Sequence, residues 1–275
     1  MSVVQVVTPY ETGIVPDNYV RILGQVEIVA DGIPVPLVRR KQRLLLALLA
    51  LGANRPVSFS RIVSVLWPTD APVAVRNQVH VHIYALRRAL TAITAGGKCL
   101  ETRHDAYVLN APPVEVDLQR FEQAVADSER ALAAGHLVEA HRKLCAALDL
   151  WHGTPLDGLD GVFAQSESAR LQERRQMVFE RRLDLDLAVG NHADALAELA
   201  GLVAANPLHE GFQRRLVLAL YCCERTGQAL SACRAARRLL VDELGIDAGE
   251  RLNSLEMAIL HGVRAEQLVA EAVGW

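Results

Sequence analysis

A mainly α protein with a small β component, built in two parts, is what the sequence predicts, and three observations carry that expectation. Hydrophobic residues make up 51% of the 275 residues but aromatic residues only 5%, with Ala and Leu abundant, which favours packed helices over a disordered or all-strand chain. Charge is shared unevenly: residues 1–112 hold 12 Lys+Arg against 7 Asp+Glu, whereas residues 113–275 hold 17 against 25. A basic first part beside an acidic remainder suggests that only the first meets a polyanion. At Ala111-Pro112-Pro113 short alternating runs give way to continuous helical pattern, and two prolines are a natural stop. The expected organisation is an amino-terminal extension over 1–18, a first domain over 19–112 and a second over 113–275.

The first domain opens with β-like bursts, YVRIL, QVEIVA and IPVPL, with Asp31-Gly32 between the last two. Asp-Gly between alternating runs is a strong hairpin signal, because both turn positions need a positive φ. Helical periodicity takes over at Arg39–Leu51, opening with Arg39, Arg40, Lys41 and Arg43 and stopped by Gly52. A second helix fits Phe59–Trp67, capped by Ser58 and ended by Pro68. After the loop from Pro68 comes the stretch that organises the domain, Val73–Thr94. There Val79, Ile83, Leu86 and Leu90 form one apolar stripe at helical spacing. Gly96-Gly97 breaks this third helix, and LETRHDAYVLN (Leu100–Asn110) reads as a two-stranded ribbon turning at His104-Asp105.

Strands, three helices with the third basic and amphipathic, then a closing hairpin: that order predicts a winged helix-turn-helix. On the third helix Asn77, Val81, Tyr84 and Arg88 recur on a face of their own, mixing amide, methyl, phenol and guanidinium groups that can engage base edges in a major groove. Arg76, Arg87 and Arg88, with His80 and His82, supply donors for phosphates on either side. The hairpin wing, carrying Arg103 and His104, would lie against the backbone or minor groove, and the cluster Arg39, Arg40 and Lys41 would grip phosphate. The plainer alternative is a half-buried helix with a solvated basic face.

The stretch ANRPVSFSRIVSVLWPTDAPVAVRNQVHVHIYALRRAL (Ala53–Leu90) resembles the output domain of OmpR-type regulators. Within that class it is similar to the Streptomyces antibiotic regulatory protein family of transcription activators. The landmarks are Arg43, Asn54-Arg55-Pro56-Val57, Leu66-Trp67, Arg76-Asn77, Val79-His80-Val81-His82-Ile83 and Leu86-Arg87-Arg88-Ala89-Leu90. The resemblance implies Asn77, Gln78, Val81, Tyr84 and Ala85 towards bases, and His82, Arg87 and Arg88 towards phosphates. This chain departs from the family at Tyr84-Ala85, where members often carry Ser-Arg, and at the wing turn, where glycines are usual but His104-Asp105-Ala106 stands. The family also implies direct repeats of double-stranded promoter DNA, a second protomer side by side on it, and RNA polymerase holoenzyme with its sigma factor as partner. The loop Pro68, Thr69, Asp70, Ala71, Pro72 and Val73 is assigned to polymerase contact. Trp67 is expected to pack and anchor that loop.

Beyond the two prolines, Asp117 is placed to cap a helix. Gly135, Gly190 and Gly227 each precede a similar helical run with small or apolar residues at matching positions, at intervals of 55 and 37 residues. The second interval is near the roughly 34-residue tetratricopeptide period. The prediction is a tetratricopeptide-like α-helical repeat of three helix pairs plus a final helix near Glu250–His261. Trp151…Pro155-Leu156, Phe163-Ala164-Gln165 and DELGIDAGERL (Asp242–Leu252) resemble the bacterial transcriptional activation domain of the same family.

No Walker loop, dinucleotide glycine turn, nucleophile elbow or HExxH is present, so no catalytic residue, metal or cofactor is expected. His80 and His82 point some 200° apart on a helix and cannot share a metal. Five cysteines without paired spacing read as reduced thiols, and the clusters at Asp157–Asp160 and Glu173–Asp186 read as solvated surface. The amino terminus does not read as a signal peptide and no run is long enough to span a membrane, so a cytoplasmic, nucleoid-associated protein without membrane contact is expected. Larger family members append an ATPase or phosphopeptide-binding domain, and neither these nor a phosphoacceptor domain is expected here. The leading expectation is a DNA-binding activator; its rivals are a non-DNA helical-repeat scaffold and a ligand-sensing interaction protein.

Overall fold

The computed structural model describes residues 18–94, 99–112 and 114–273. The expected extension over 1–18 therefore lies almost wholly outside the described residues, as do Gly96-Gly97 and Pro113. The described residues form two compact units, one of residues up to 125 together with 146–175, the other of 126–145 with 176–275.

The first unit begins with an antiparallel sheet of β1 (Tyr19–Arg21), β2 (Glu27–Ala30) and β3 (Ile33–Val35), in that order. The β2–β3 turn is made by Asp31 and Gly32 at φ 49° and 74°, the two positive values that a two-residue hairpin requires. Next comes α1 (Arg40–Leu51), which buries every residue from Leu44 to Ala50. β4 (Val57–Ser58) leads into α2 (Phe59–Leu66), whose first turn is capped by the Ser58 hydroxyl accepting from the Arg61 N–H. α3 (Val75–Leu90) packs on α1 and α2. β5 (Leu100–Arg103) and β6 (Ala106–Leu109) close the motif in a sheet ordered β4-β6-β5. Helices on a small sheet with a closing hairpin are the expected winged helix.

Two features of this unit come from far along the chain. Backbone N–H groups of His152, Leu156 and Asp157 donate to the carbonyls of Leu23, Ile22 and Gly24, so the Trp151 loop docks on the segment following β1. A Cβ on Gly24 would stand 2.6 Å from the His152 carbonyl oxygen, closer than atoms approach, so only glycine fits there. Asp117, expected as a helix cap, opens α4 (Asp117–Ala133) and is buried. Its carboxylate accepts from the N–H groups of Ile22, Leu23 and Leu118. Burial pushes its carboxyl up to about 7 against those three donors, which favour the ionised form.

Chain order then runs α5 (Leu137–Leu148), α6 (Val162–Ala188), α7 (His192–Ala205), α8 (Glu210–Cys222), α9 (Thr226–Leu244), α10 (Glu250–Leu260) and α11 (Ala265–Val273). The last of these follows the helix expected to be final. In the second unit α8 packs against α7, α9, α10 and α11. The repeat is real but its third register differs from expectation. Gly227 lies inside α9, and the turn is made by Glu224 at φ 59°. Gly135, Gly190, Glu224 and Gly262 each end a helix in the same way, the left-handed residue donating to the carbonyl three back and the next N–H donating to the carbonyl five back. This is the Schellman motif. With Glu224 as the marker, Ala140, Ala195 and Ala229 align, all at most 2% exposed, and Gly190 to Glu224 spans 34 residues.

The carboxylates of α6 were expected on a solvated face. Asp184 and Asp186 are instead buried, because each meets a guanidinium. Arg215 donates to Asp184 through two 2.8 Å bonds and to Glu180 at 2.7 Å, and Arg182 meets Asp186 at 2.6 Å and Glu198 at 2.7 Å. His141 Nε2 is 2.6 Å from Asp186 Oδ1, which drives the imidazole pKa up to about 9.

Candidate nucleic-acid interface

α3 is held by its buried stripe Val79, Ile83, Leu86 and Leu90, all at most 2% exposed. The opposite face stays in water: Asn77, Gln78, His80, Val81, Tyr84, Arg87 and Arg88 are exposed and Ala85 is half-buried. Val81 and Tyr84 are 54% and 70% exposed, which is costly for apolar groups with no partner. The polar groups of Asn77, Gln78, Tyr84 and Arg88 make no intramolecular side-chain hydrogen bond among the described residues. This face is one wall of an open groove whose other wall is the segment from Val35 to Arg39. Val38 on that second wall is 86% exposed. Of this wall only Arg39 is apparent from the basic cluster; the apolar run PVPLV ahead of it is the sequence signal for the rest.

Around the row, the basic groups are fixed to different degrees. Arg76 lies 4.5 Å over the Phe59 ring and 3.3 Å from Asp105 at the wing turn. Arg87 donates through Nε to the Leu100 carbonyl and through Nη2 to the Thr102 hydroxyl, both at 2.9 Å, and so ties α3 to the wing. Arg103 meets Glu101 at 3.1 Å. His104 takes φ 51° at the tip, in the left-handed region that favours glycine. Arg39 is exposed at the head of α1, and Arg40 is held by Asp160, with Nε 3.4 Å from its carboxylate. Lys41 Nζ sits 4.1 Å over the Trp67 ring. Burial, then the neighbouring Arg40 charge, holds its pKa below the usual lysine value.

His82 is a correction. It was expected to reach phosphate, but it is only 7% exposed, with its ring centroid 6.3 Å from that of Trp67. Three residues after Val79 and four before Leu86, it falls on the edge of the buried stripe. Burial, with the charges of Lys41 and Arg39, lowers its pKa, and its Nδ1 has no hydrogen-bond partner among the described residues. It is a packing histidine whose surroundings favour the neutral ring. Trp67, half-buried between Lys41 and His82, anchors the loop as expected. In that loop Pro68, Thr69, Asp70, Ala71 and Val73 are exposed and Pro72 half-buried. No cluster of His, Cys, Asp or Glu that could hold a metal occurs among the described residues, and none of their helices is long and apolar enough to cross a membrane.

An OmpR-type winged helix presenting a polar helix face, followed in the chain by a helical repeat, is the architecture of a transcriptional regulator. Residues 34–106 match the C-terminal domain of transcriptional regulatory proteins, and residues 116–260 match the bacterial transcriptional activator domain. Regulatory protein DnrI of Streptomyces peucetius is 34% identical over 88% of this chain and 91% of that protein. Regulatory protein AfsR of Streptomyces coelicolor is 36% identical over 91% of this chain, which spans 24% of AfsR. The structure of Mycobacterium tuberculosis EmbR in complex with a low-affinity phosphopeptide matches with a TM-score of 0.84 at 31% identity, covering 94% of this chain and 69% of that one. The chain belongs to the Streptomyces antibiotic regulatory protein family of transcriptional regulators.

Proposed function

We propose that the chain is a sequence-specific DNA-binding activator that binds direct repeats near promoters and recruits RNA polymerase holoenzyme through its sigma factor. Residues 19–112 carry the DNA-reading function and residues 113–275 the activation function, in the cytoplasm and on the nucleoid. The observation that most supports this is the row Asn77, Gln78, Val81, Tyr84 and Arg88, solvent-facing on a helix whose other face is locked into the core. Exposed amide, phenol and guanidinium groups without internal partners are what direct base readout uses. The relatives DnrI and AfsR, both regulatory proteins of Streptomyces, support antibiotic or other secondary-metabolite genes as targets.

Titration of the full chain against promoter and random duplexes at several salt concentrations tests this reading. Both affinities should fall linearly on log–log axes as salt rises, with the promoter bound about 10³-fold or more tightly. A folded chain with no salt-sensitive binding would favour the non-DNA scaffold. Polymerase contact by Pro68–Val73 has its own test. Thr69→Ala with Asp70→Ala should leave promoter affinity within about twofold, below the roughly 1.4 kcal/mol of a tenfold change, yet remove most transcription in a purified system. Undiminished transcription would move the contact to the wing or the repeats.

A further inference from the structure

Arg40 and Asp160 stand 120 residues apart in the chain, yet the Arg40 guanidinium holds Asp160 at two points. Nη2 donates to its carbonyl oxygen at 2.8 Å, and Nε lies 3.4 Å from its carboxylate. The contact is solvent-facing, with the side chains 50% and 84% exposed. The loop that carries Asp160 is built on both sides. Upstream, three backbone bonds pin His152, Leu156 and Asp157 to the segment after β1. Immediately around Asp160, Gly158 and Gly161 take φ 74° and 100°, values open to glycine and strained for other residues. Downstream, α6 begins at Val162, and Phe163 lies under the Arg61 guanidinium at 5.5 Å. A carboxylate on a short glycine-flanked tip is thus held against the first turn of the helix that opens the basic cluster.

We propose that Asp160 is an internal competitor for Arg40, a latch that DNA phosphate must displace before α1 can grip the backbone. The idea rests on the DNA-binding reading above. An exposed ion pair is weak in water, whereas a guanidinium on a phosphate makes a charge-assisted, often bidentate bond. The exchange therefore runs towards DNA when the duplex is seated and back to Asp160 when it leaves. Release occurs at the hinge formed by Gly158 and Gly161, at the root of α6, so occupancy of the phosphate site by DNA is felt where the loop enters that helix. Asp160 acts through Arg40 and is a positioning residue.

The test uses the full chain. Asp160→Asn should tighten binding to a random duplex about threefold to tenfold at low salt and steepen the salt dependence by up to about one unit, since Arg40 then gives up only the bond to the residue-160 carbonyl and no ion pair when it meets phosphate. In an Arg40→Ala background the same substitution should change neither quantity, the cycle isolating the pair from general charge. Asp157→Asn removes the same charge three residues away and should give a clearly smaller effect. Hydrogen exchange across residues 157–163 should speed up when wild-type protein binds DNA. Equal affinity and slope for wild type and Asp160→Asn overturns the latch, as does a gain that persists without Arg40 or one that Asp157→Asn reproduces. Unchanged exchange at 157–163 on binding overturns it as well. Wild-type protein that binds no duplex refutes the DNA-binding reading itself.

Discussion

α3 and the α6–α8 pair carry similar charged residues and use them in opposite ways. On α3 the guanidinium of Arg88 and the amides of Asn77 and Gln78 face water without partners among the described residues. On α6 and α8 the guanidinium of Arg215 is buried with Asp184 and Glu180, and Arg182 is held by Asp186 and Glu198. Charge placed in water costs little to keep available for a ligand, while charge taken out of water must be satisfied within the fold. A charged helix face is thus a functional candidate when its groups are unpaired and a structural element when they are paired. Net charge alone does not separate the two.

The largest effect should come from breaking the buried side of this contrast. Arg215→Ala takes from Asp184 its two 2.8 Å bonds, leaving it only Arg214 at 3.6 Å, and should lower unfolding free energy by about 3 kcal/mol, the low end for breaking a buried pair, read by chemical denaturation. A loss below about 1 kcal/mol would mean that water replaces the guanidinium and that the site is not closed.

The two buried histidines should titrate in opposite senses. The folded pKa of His141 is raised to about 9 by its bond to Asp186, so its stabilisation is complete below about pH 6.5, the unfolded value, and is lost as pH rises through about 9. The pKa of His82 is lowered by burial and then by Lys41 and Arg39, so its unfolded state takes up a proton first and stability falls as pH drops below about 6.5. Melting temperature against pH should show an alkaline limb that His141→Gln flattens and an acid limb that His82→Gln flattens. If each substitution moved the other limb, the assignments would be reversed.

On the exposed side, Asn77→Ala or Tyr84→Ala should cost roughly 1–3 kcal/mol of promoter affinity each, with little change on random duplex. Stability should stay within about 0.5 kcal/mol, as for surface groups without partners. Equal loss on both duplexes would take these side chains off the base-reading row.

What the sequence made legible and what it hid divide along the same line. The inward stripe Val79, Ile83, Leu86, Leu90 and the outward row Asn77, Val81, Tyr84, Arg88 follow from helical period alone, and Asp31-Gly32 announces its hairpin through backbone chemistry. These signals are local. The position of His82 is not legible because its burial depends on Trp67 and Lys41, which reach it from just past α2 and from α1. Asp184 and Asp186 read as surface because their partners Arg215 and His141 lie 31 and 45 residues away. Gly24 gave no sign that His152 would close over it. Contacts formed between distant segments decide burial, and periodicity cannot supply them.

The misplaced third repeat allows the smallest and most controlled comparison. Gly190 and Glu224 occupy the same position of the same Schellman motif, at φ 92° and 59°. For a residue with a Cβ the left-handed conformation costs about 1–2 kcal/mol, while glycine gives back about 0.5–1 kcal/mol through the greater freedom of its unfolded chain. Glu224 is exposed and its side chain makes no hydrogen bond among the described residues, so nothing else is lost on removing it. Glu224→Gly should therefore stabilise by up to about 1 kcal/mol, a rise of a few degrees at most in melting temperature for a chain of this size. Gly190→Ala should lower it by a similar amount, because a Cβ there meets no atom within 4 Å and only the backbone conformation is penalised. Opposite shifts of comparable size would show that the turn is read by φ alone. A lower melting temperature for Glu224→Gly would mean that this glutamate holds the α8–α9 turn through its side chain, and that the third repeat is built differently from the second.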